Sequence, residues 1–315
     1  MEKEFDVIVI GELNVDIILN GIEKFPEIGK EILAEEMTVT LGSSSAIFAS
    51  NLSSLGSKVA FIGKVGNDSF AGLVKNSLKN RNVETSQVMT SASHKTGATI
   101  VMSYGEDRAN VTYAGAMNDL TIHDIDFEFL AKARHLHFSS VFLQPGIKKA
   151  LPEIFKKAKA LGLTTSIDPQ WDPLEKWDID MPELMPYLDI FMPNLKELEN
   201  IAHTEGMKEA IKSLKHQPKF LIIKDGSNGA HLWDGKKMHH QGIFENKQIV
   251  DCIGAGDSFN AGFIHKFVSG KSIAECLEFG ALTGAISTTA AGGTGAFSDY
   301  QGIARIAKSK FNQTI

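Results

Sequence analysis

The chain has 315 residues, 43% apolar and 22% charged, which is enough for a large folded core and too balanced for a disordered polymer. Its 32 basic and 38 acidic side chains leave a formal charge of −6, which argues against nucleic acid as the main partner, because phosphate backbones recruit basic faces. Two cysteines, Cys252 and Cys276, exclude a disulfide scaffold and a four-cysteine zinc site.

The elements follow in chain order. The N-terminal MEKEFDVIVIG carries an apolar run of only about six residues before charge returns, so it reads as a buried strand, Phe5–Gly11, and not as a signal peptide. No stretch approaches the roughly 18 apolar residues of a membrane span. The expectation is a soluble, cytoplasmic protein with no membrane partner. Further strand-like runs are Lys58–Gly63, His135–Val141, Leu163–Asp168, Ile190–Asn194 and Phe220–Lys224. Helical patterns lie between them: Ser43–Leu55 stopping at Gly56, a helix ending at Ala158–Leu161 before Gly162, Leu195–Ala202, and Met207–Leu214. Strands alternating with helices predict an α/β protein whose mainly parallel sheet is covered on both faces.

Two regions break the rhythm. Residues 13–40 hold strand fragments with no helix between them, and 96–113 reads as a hairpin turning at Gly105-Glu106-Asp107. Together they predict a small antiparallel sheet assembled from discontinuous segments, either a lid over a site or ordinary edge strands. Late in the chain, Ala230–Trp233 and Lys237–Gln241 flank Asp234-Gly235, a hairpin signal. With no repeat and no Pro/Ser-rich linker, residues 1–315 read as one domain with this excursion.

Several chemistries are absent. There is no GxxxxGK[ST], since His265 stands where Gly270-Lys271-Ser272 would need a glycine. HExxH, GxSxG and paired CxxC are missing, and the first strand runs into Gly11-Glu12-Leu13-Asn14, not GxGxxG. His135, His137, His239 and His240 read as packing or surface residues.

One string carries chemistry: Asp251-Cys252-Ile253-Gly254-Ala255-Gly256-Asp257-Ser258-Phe259-Asn260-Ala261-Gly262-Phe263. After Asp257, Phe259, Phe263, Ile264 and Phe267 fall at helical spacing, so Gly254–Gly256 forms the turn at a helix N-terminus. Glycines there let backbone N–H groups converge on an anion, and the helix dipole adds positive potential. A carboxylate in that first turn can take a proton from an alcohol while the N–H groups hold a phosphate. Asp257 could equally be a plain N-terminal capping residue.

The longer string resembles the C-terminal signature of the PfkB (ribokinase-like) carbohydrate kinases, DTxGAGDxFxxG, with Cys252 at the Thr-like place. Four more segments are similar to family motifs and follow in family order. They are Gly11-Glu12-Leu13-Asn14-Val15-Asp16, Gly63–Asp68 with Gly72, Pro193-Asn194-Leu195-Lys196-Glu197, and Lys224-Asp225-Gly226-Ser227-Asn228-Gly229. The resemblance implies a three-layer ribokinase-like α/β fold with a β lid. It implies ATP and Mg²⁺ as cofactors, with K⁺ as a further candidate, and a homodimer formed through the lid. By the same resemblance Asp257 is the general base and Gly254, Ala255 and Gly256 form the anion hole. Asn194 and Glu197 organise Mg²⁺ and phosphate through water, although Asn194 with an acidic residue three positions later also reads as a capping box. Lys224, Gly226 and Gly229 stand on the nucleotide side. Asn14 and Asp16, with Gly42 and Ser43, face the sugar. Asp251 and Ile253, with residues 292–298, resemble a monovalent-cation site.

The departures concern the acceptor. Ser43 replaces the second glycine of the family's diglycine, Ile47 replaces a sugar-binding Asn, and Ser139-Ser140 occupies a place where ribokinase has an acid. Trp171, Arg108 and Tyr113 are additional candidates to line the acceptor side. The expected function is ATP-dependent phosphorylation of a primary hydroxyl of a small sugar. The alternatives are a nucleoside kinase, a kinase of a 2-keto-3-deoxy sugar acid, and an inactive sugar- or nucleotide-binding sensor.

Overall fold

The computed structural model describes residues 3–104, 107–214 and 217–315. Its strands are β1 (Phe5–Ile10), β2 (Asn14–Asn20), β3 (Glu36–Leu41), β4 (Val59–Val65), β5 (Glu84–Thr90), β6 (Gly97–Tyr104) and β7 (Asp107–Tyr113). They continue with β8 (Ala133–Ser139), β9 (Thr164–Asp168), β10 (Ile190–Phe191), β11 (Phe220–Lys224), β12 (Ala230–Trp233) and β13 (Met238–Gln241). Nine strands form one sheet in the order β13-β12-β11-β10-β9-β8-β1-β4-β5, and β3-β2-β6-β7 form a second. Strands β11 through β5 are parallel; β12 and β13 add an antiparallel edge, the hairpin predicted around Asp234-Gly235.

The large sheet explains its continuous apolar runs. Alternate residues of β1 enter opposite cores: Val7 and Val9 join one hydrophobic cluster, Ile8 and Ile10 the other. In β4, Val59, Phe61 and Val65 split from Ala60 and Ile62 in the same way. A strand buried on both faces has no polar side to show, so alternation disappears from its sequence. Residues of the helices Ser44–Ser54, Ser69–Asn80, Ala255–Val268 and Ile273–Ser287 pack into the first cluster. Those of Leu151–Ala160, Leu195–Ala202 and Met207–Ser213 pack into the second.

From β1 the chain passes to β4 on one side, and from β8 it passes to β9 on the other. The strand order therefore reverses between β1 and β8, and open α/β sheets bind ligands in the crevice at such a point, outside the carboxyl ends of the strands.

The small sheet gathers the two discontinuous segments. Its outer pairings, β2 with β3 and β6 with β7, are antiparallel, but the central pair β2–β6 is parallel. That pairing joins segments about 80 residues apart, so no hairpin signal announces it. The expected turn at Gly105-Glu106 lies outside the described residues. One boundary shifts from expectation, and one strand was not expected. Ile190–Asn194 is regular only over Ile190–Phe191, with Asn194 making an isolated bridge to Lys224. The edge strand β5 (ETSQVMT) is too polar for its sequence to single it out. The paired histidines of β8 are packing residues. Thr164 and Ser166 hydroxyls lie within 2.8 Å of their ring nitrogens, and His137 stacks on Phe48 at 3.9 Å. Burial pushes His135 down to about 3.

Candidate active site

The carboxyl ends of β1, β8, β9 and β11 open onto a cleft of about 1070 Å³ beneath the small sheet. At its floor the helix Ala255–Val268 starts from Gly254, whose φ of 71° is open to glycine. A Cβ there would lie 2.7 Å from the Gly293 Cα, so the turn also needs the missing side chain. Ala255 N donates to Cys252 O at 3.3 Å, and the N–H groups of Gly256 and Asp257 have no intrahelical acceptors. Asp257 stands in that first turn, nearly buried, and Gln170 Nε2 donates to its Oδ1 at 3.1 Å. Burial pushes its carboxyl well above the usual range; Asp168 and Glu12 add repulsion, and Lys224 opposes them.

Asp168, at the end of β9, organises this floor. Its carboxylate accepts from Lys224 Nζ at 2.6 Å, from Gln170 Nε2 at 3.0 Å and from Asn260 Nδ2. Burial works against the Lys224 ammonium, but Asp168 and Glu197 outweigh it and raise its pKa. One ammonium thus sits among Asp168, Glu197 and Asp257, and the local excess of negative charge suits a cation.

Asn194 and Glu197 do make the capping box: Glu197 N donates to Asn194 Oδ1, and Asn194 N donates to Glu197 Oε2, both at 2.8 Å. The box uses one carboxylate oxygen. Among the described residues nothing donates to Oε1, and both residues line the cleft. Burial pushes Glu197 up to about 7, with Asp168 adding to the shift. The capping role and a role toward the cleft therefore coexist.

On the lid side, Asn14 Nδ2 donates to Asp16 Oδ1 at 2.9 Å and to Thr99 Oγ1 at 3.1 Å. Burial pushes Asp16 up to about 6, against the pull of Asn14 and the nearby Arg108 charge. Gly42 does not line the cleft. A Cβ on it would lie 2.2 Å from Asp16 Oδ1, so its role is to leave room for that carboxylate. Ser43 caps the helix Ser44–Ser54 at φ 71°, a conformation costing a side-chain residue about 1–2 kcal/mol. Two hydrogen bonds offset that cost: Ser43 Oγ donates to Glu12 O at 2.6 Å and accepts from Ala46 N at 2.9 Å. Ile47 lines the cleft and fills the space above Gly293, as its apolar side chain requires. Arg108 and Trp171 also line it, whereas Tyr113 points to the outer face of the small sheet.

A second cavity of about 510 Å³ adjoins the floor. Lys224, Gly226, Gly229 and Gly256 line one end, and Ile243, Phe244, Ile249 and Ala281 make it apolar. Such a slot, ending at the Lys224 ammonium and the glycine-started helix N-terminus, fits a flat base carrying phosphates. Asp251 is committed to backbone: Oδ1 accepts from Ile253 N at 2.8 Å and Oδ2 from Gly292 N at 2.9 Å, tying the two loops together beside Gly254.

The sequence pattern of the pfkB family carbohydrate kinases matches residues 4–299. The chain belongs to this family. The ribokinase of Arabidopsis thaliana is 27% identical over 96% of this chain and 81% of its own length. The 5-dehydro-2-deoxygluconokinase of Geobacillus kaustophilus is 26% identical over 90% of this chain and 88% of its own length. The structure of Arabidopsis thaliana ribokinase complexed with ribose and ATP superimposes with a TM-score of 0.82 at 25% identity, covering 98% of this chain and 99% of that one. The ribokinase-like architecture with its separate small sheet is thereby shown, and the enzyme class is that of a sugar kinase.

Sequence reasoning gave no role here to Glu12, Gln170 or Asn260; it met Asp168 only as the end of a strand on the ligand side, and Ser140 only as a departure from the ribokinase pattern. Asp168 had a signal, an acid at a strand end followed by Pro169. The positive φ of Gln170 and Ser140, 58° each, had no signal, because it belongs to turns that only the fold demands.

Proposed function

We propose that this kinase transfers the γ-phosphoryl group of Mg-ATP to a primary hydroxyl of a small sugar. The observation carrying the reading is Asp257 in the first turn of a glycine-started helix, at the junction of the two cavities. In this reading the apolar cavity takes the adenine, and the phosphates run past Gly226, Gly229 and Lys224 to the helix N-terminus. The N–H groups of Ala255 to Asp257 hold the transferring group, which needs preorganised donors more than covalent chemistry. Asp257 accepts the proton of the attacking hydroxyl, with Gln170 fixing its carboxylate. Its raised proton affinity suits a base that works near neutral pH. Asn14 and Asp16 orient the acceptor.

The donor set fits Mg²⁺: Glu197 offers a free oxygen to the cleft, and hard cations bind through such carboxylates while keeping several waters. When bound, the cation would supply charge neutralisation for the phosphates. K⁺ between the 251–253 and 292–298 loops belongs to the same reading. A second copy of the chain would cover the outer face of the small sheet, where Val39, Ile17, Ile100 and Val111 form one cross-strand row.

A second reading, a sugar acid as acceptor, is favoured by Arg108, Lys148 and Lys176 along the same cleft and by the relatives named 5-dehydro-2-deoxygluconokinase. ADP release measured across sugars, sugar acids and nucleosides tests both. Acceptor-dependent ADP is expected for one class, and binding without ADP would overturn the kinase reading.

A further inference from the structure

Glu12 has no part in the reading above, although it occupies the reversal point of the large sheet. It follows β1 by two residues; Ser139 ends the neighbouring β8 and Ser140 follows it. It is 2% exposed, yet it lines the acceptor cleft beside Asn14, Ser43 and Ser140. Among the described residues no Lys, Arg or His lies within ion-pair distance of it; the groups that hold it are neutral. Oε1 accepts from Ser140 Oγ at 2.9 Å and from Ser45 N at 3.3 Å, and Oε2 accepts from Ser45 Oγ. Ser45 has only one hydroxyl proton, so Ser139 Oγ, 2.8 Å away, donates to Ser45 in turn. Burial raises the carboxyl above its usual range, against the pull of these serines.

An ionised carboxylate offers about four lone-pair directions, and three are taken. The open one is on Oε2. Of the residues around the carboxylate, Glu12 and Ser140 line the cleft, whereas Ser45 and Ser139 do not. A purely structural clamp accounts for the bonds to residues 43–45, but a neutral amide could make most of them. It gives no reason to bury a charge with no countercharge at the wall of a substrate cleft, which is costly unless hydrogen-bond donors surround it.

We propose that Glu12 is a specificity-determining residue: its carboxylate accepts a hydrogen bond from an acceptor hydroxyl other than the one phosphorylated. The proposal rests on the kinase reading and deepens it. It selects acceptors that present a hydroxyl to the β1–β8 crevice, and it turns any acidic group of the acceptor away from that crevice toward the Arg108 and Lys176 side.

The test uses whichever of D-ribose, D-fructose, adenosine and 2-dehydro-3-deoxy-D-gluconate the wild type phosphorylates best, together with its mono-deoxy analogues. Glu12→Gln should lower kcat/KM about 10–100-fold, the value of a charge-assisted hydrogen bond, and leave the Kd of an unreactive ATP analogue within twofold. One deoxy position that costs the wild type at least about tenfold should cost the variant less than about threefold, the signature of a lost pairwise contact. A uniform loss across the deoxy series, or activity within twofold of wild type, overturns the proposal. If Glu12→Gln does not fold, Glu12→Asp keeps the charge, withdraws it by one methylene and takes the same measurements. A wild type insensitive to every deoxy substitution also overturns it. Calorimetric binding of the same acceptors beside the ATP analogue separates the two readings: binding without transfer sinks the kinase activity, while the Glu12 coupling is still read.

Discussion

The two sheets of this kinase solve different problems with the same strand geometry. The nine-stranded sheet is covered on both faces, and its polar groups collect at the carboxyl ends, where Asp168, Lys224 and Gln170 are already bonded to one another. The four-stranded sheet has one face over the cleft and one in solvent. Its inner row, Thr40, Asp16, Thr99 and Thr112, is polar, whereas the adjacent row of Val39, Ile17, Ile100 and Val111 is apolar and points outward. Val111 is 59% exposed and Met37 66%. The large sheet therefore holds chemistry in a preformed frame. In the proposed reading the small one carries recognition, on a surface with little burial of its own.

The comparison breaks most sharply at the rigid floor. Asp257→Asn is nearly isosteric and should leave Tm within a few degrees, while kcat falls about 10²–10⁴-fold, the usual cost of losing a general base. A near-wild-type kcat would remove Asp257 from the proton transfer. On the lid, Asp16→Ala should lower acceptor kcat/KM by about 2–4 kcal/mol, or roughly 30–1000-fold, with the Kd of an ATP analogue unmoved. Loss of both affinities together would mean that the two sheets are not separable in function.

Glu197→Gln returns to the floor. The capping box survives through the amide oxygen, but the charge offered to the cleft is gone, so half-saturation by Mg²⁺ at fixed ATP should rise about tenfold. An unchanged Mg²⁺ titration would leave Glu197 a capping residue.

Stability should oppose function at Asp16. Its folded pKa, about 6, is raised from 3.8, so its contribution to stability is fully present below about pH 4 and is lost as pH rises through about 6. Asp16→Asn should therefore raise Tm by about 2–4 °C at pH 7.5, with the gain gone at pH 4, even as acceptor turnover drops. In the wild type the acceptor kcat/KM should fall as pH is lowered through about 6. A Tm gain over wild type no larger at pH 7.5 than at pH 4 would contradict the burial cost. The smallest effect is expected at the outer lid face. Val111→Lys should convert a dimer to monomer in light scattering and change kcat less than about threefold; a wild type that is monomeric at assay concentration would contradict the covered-face reading.

Local strings determined much of this protein. The helix start at Gly254 with Asp257 in its first turn was legible because a tight turn into a helix needs consecutive residues with special backbone freedom. The large sheet was legible because two-sided burial writes itself as apolar runs such as FDVIVI and FLIIK. The capping pair Asn194 and Glu197 was legible at its three-residue spacing, though its opening to the cleft was not. Tertiary structure alone decided what depends on distant segments meeting. The parallel β2–β6 pairing joins strands with no local signal between them. Gly42 proved to be room for Asp16, and Ser43 could replace a glycine because Glu12 and Ala46 hold it at positive φ. The hydrogen-bonded group of Glu12, Ser45, Ser139 and Ser140 draws on three separate stretches of chain. Hydrogen bonds between such stretches follow no period in the sequence, so only the folded geometry can show which polar side chains share one carboxylate.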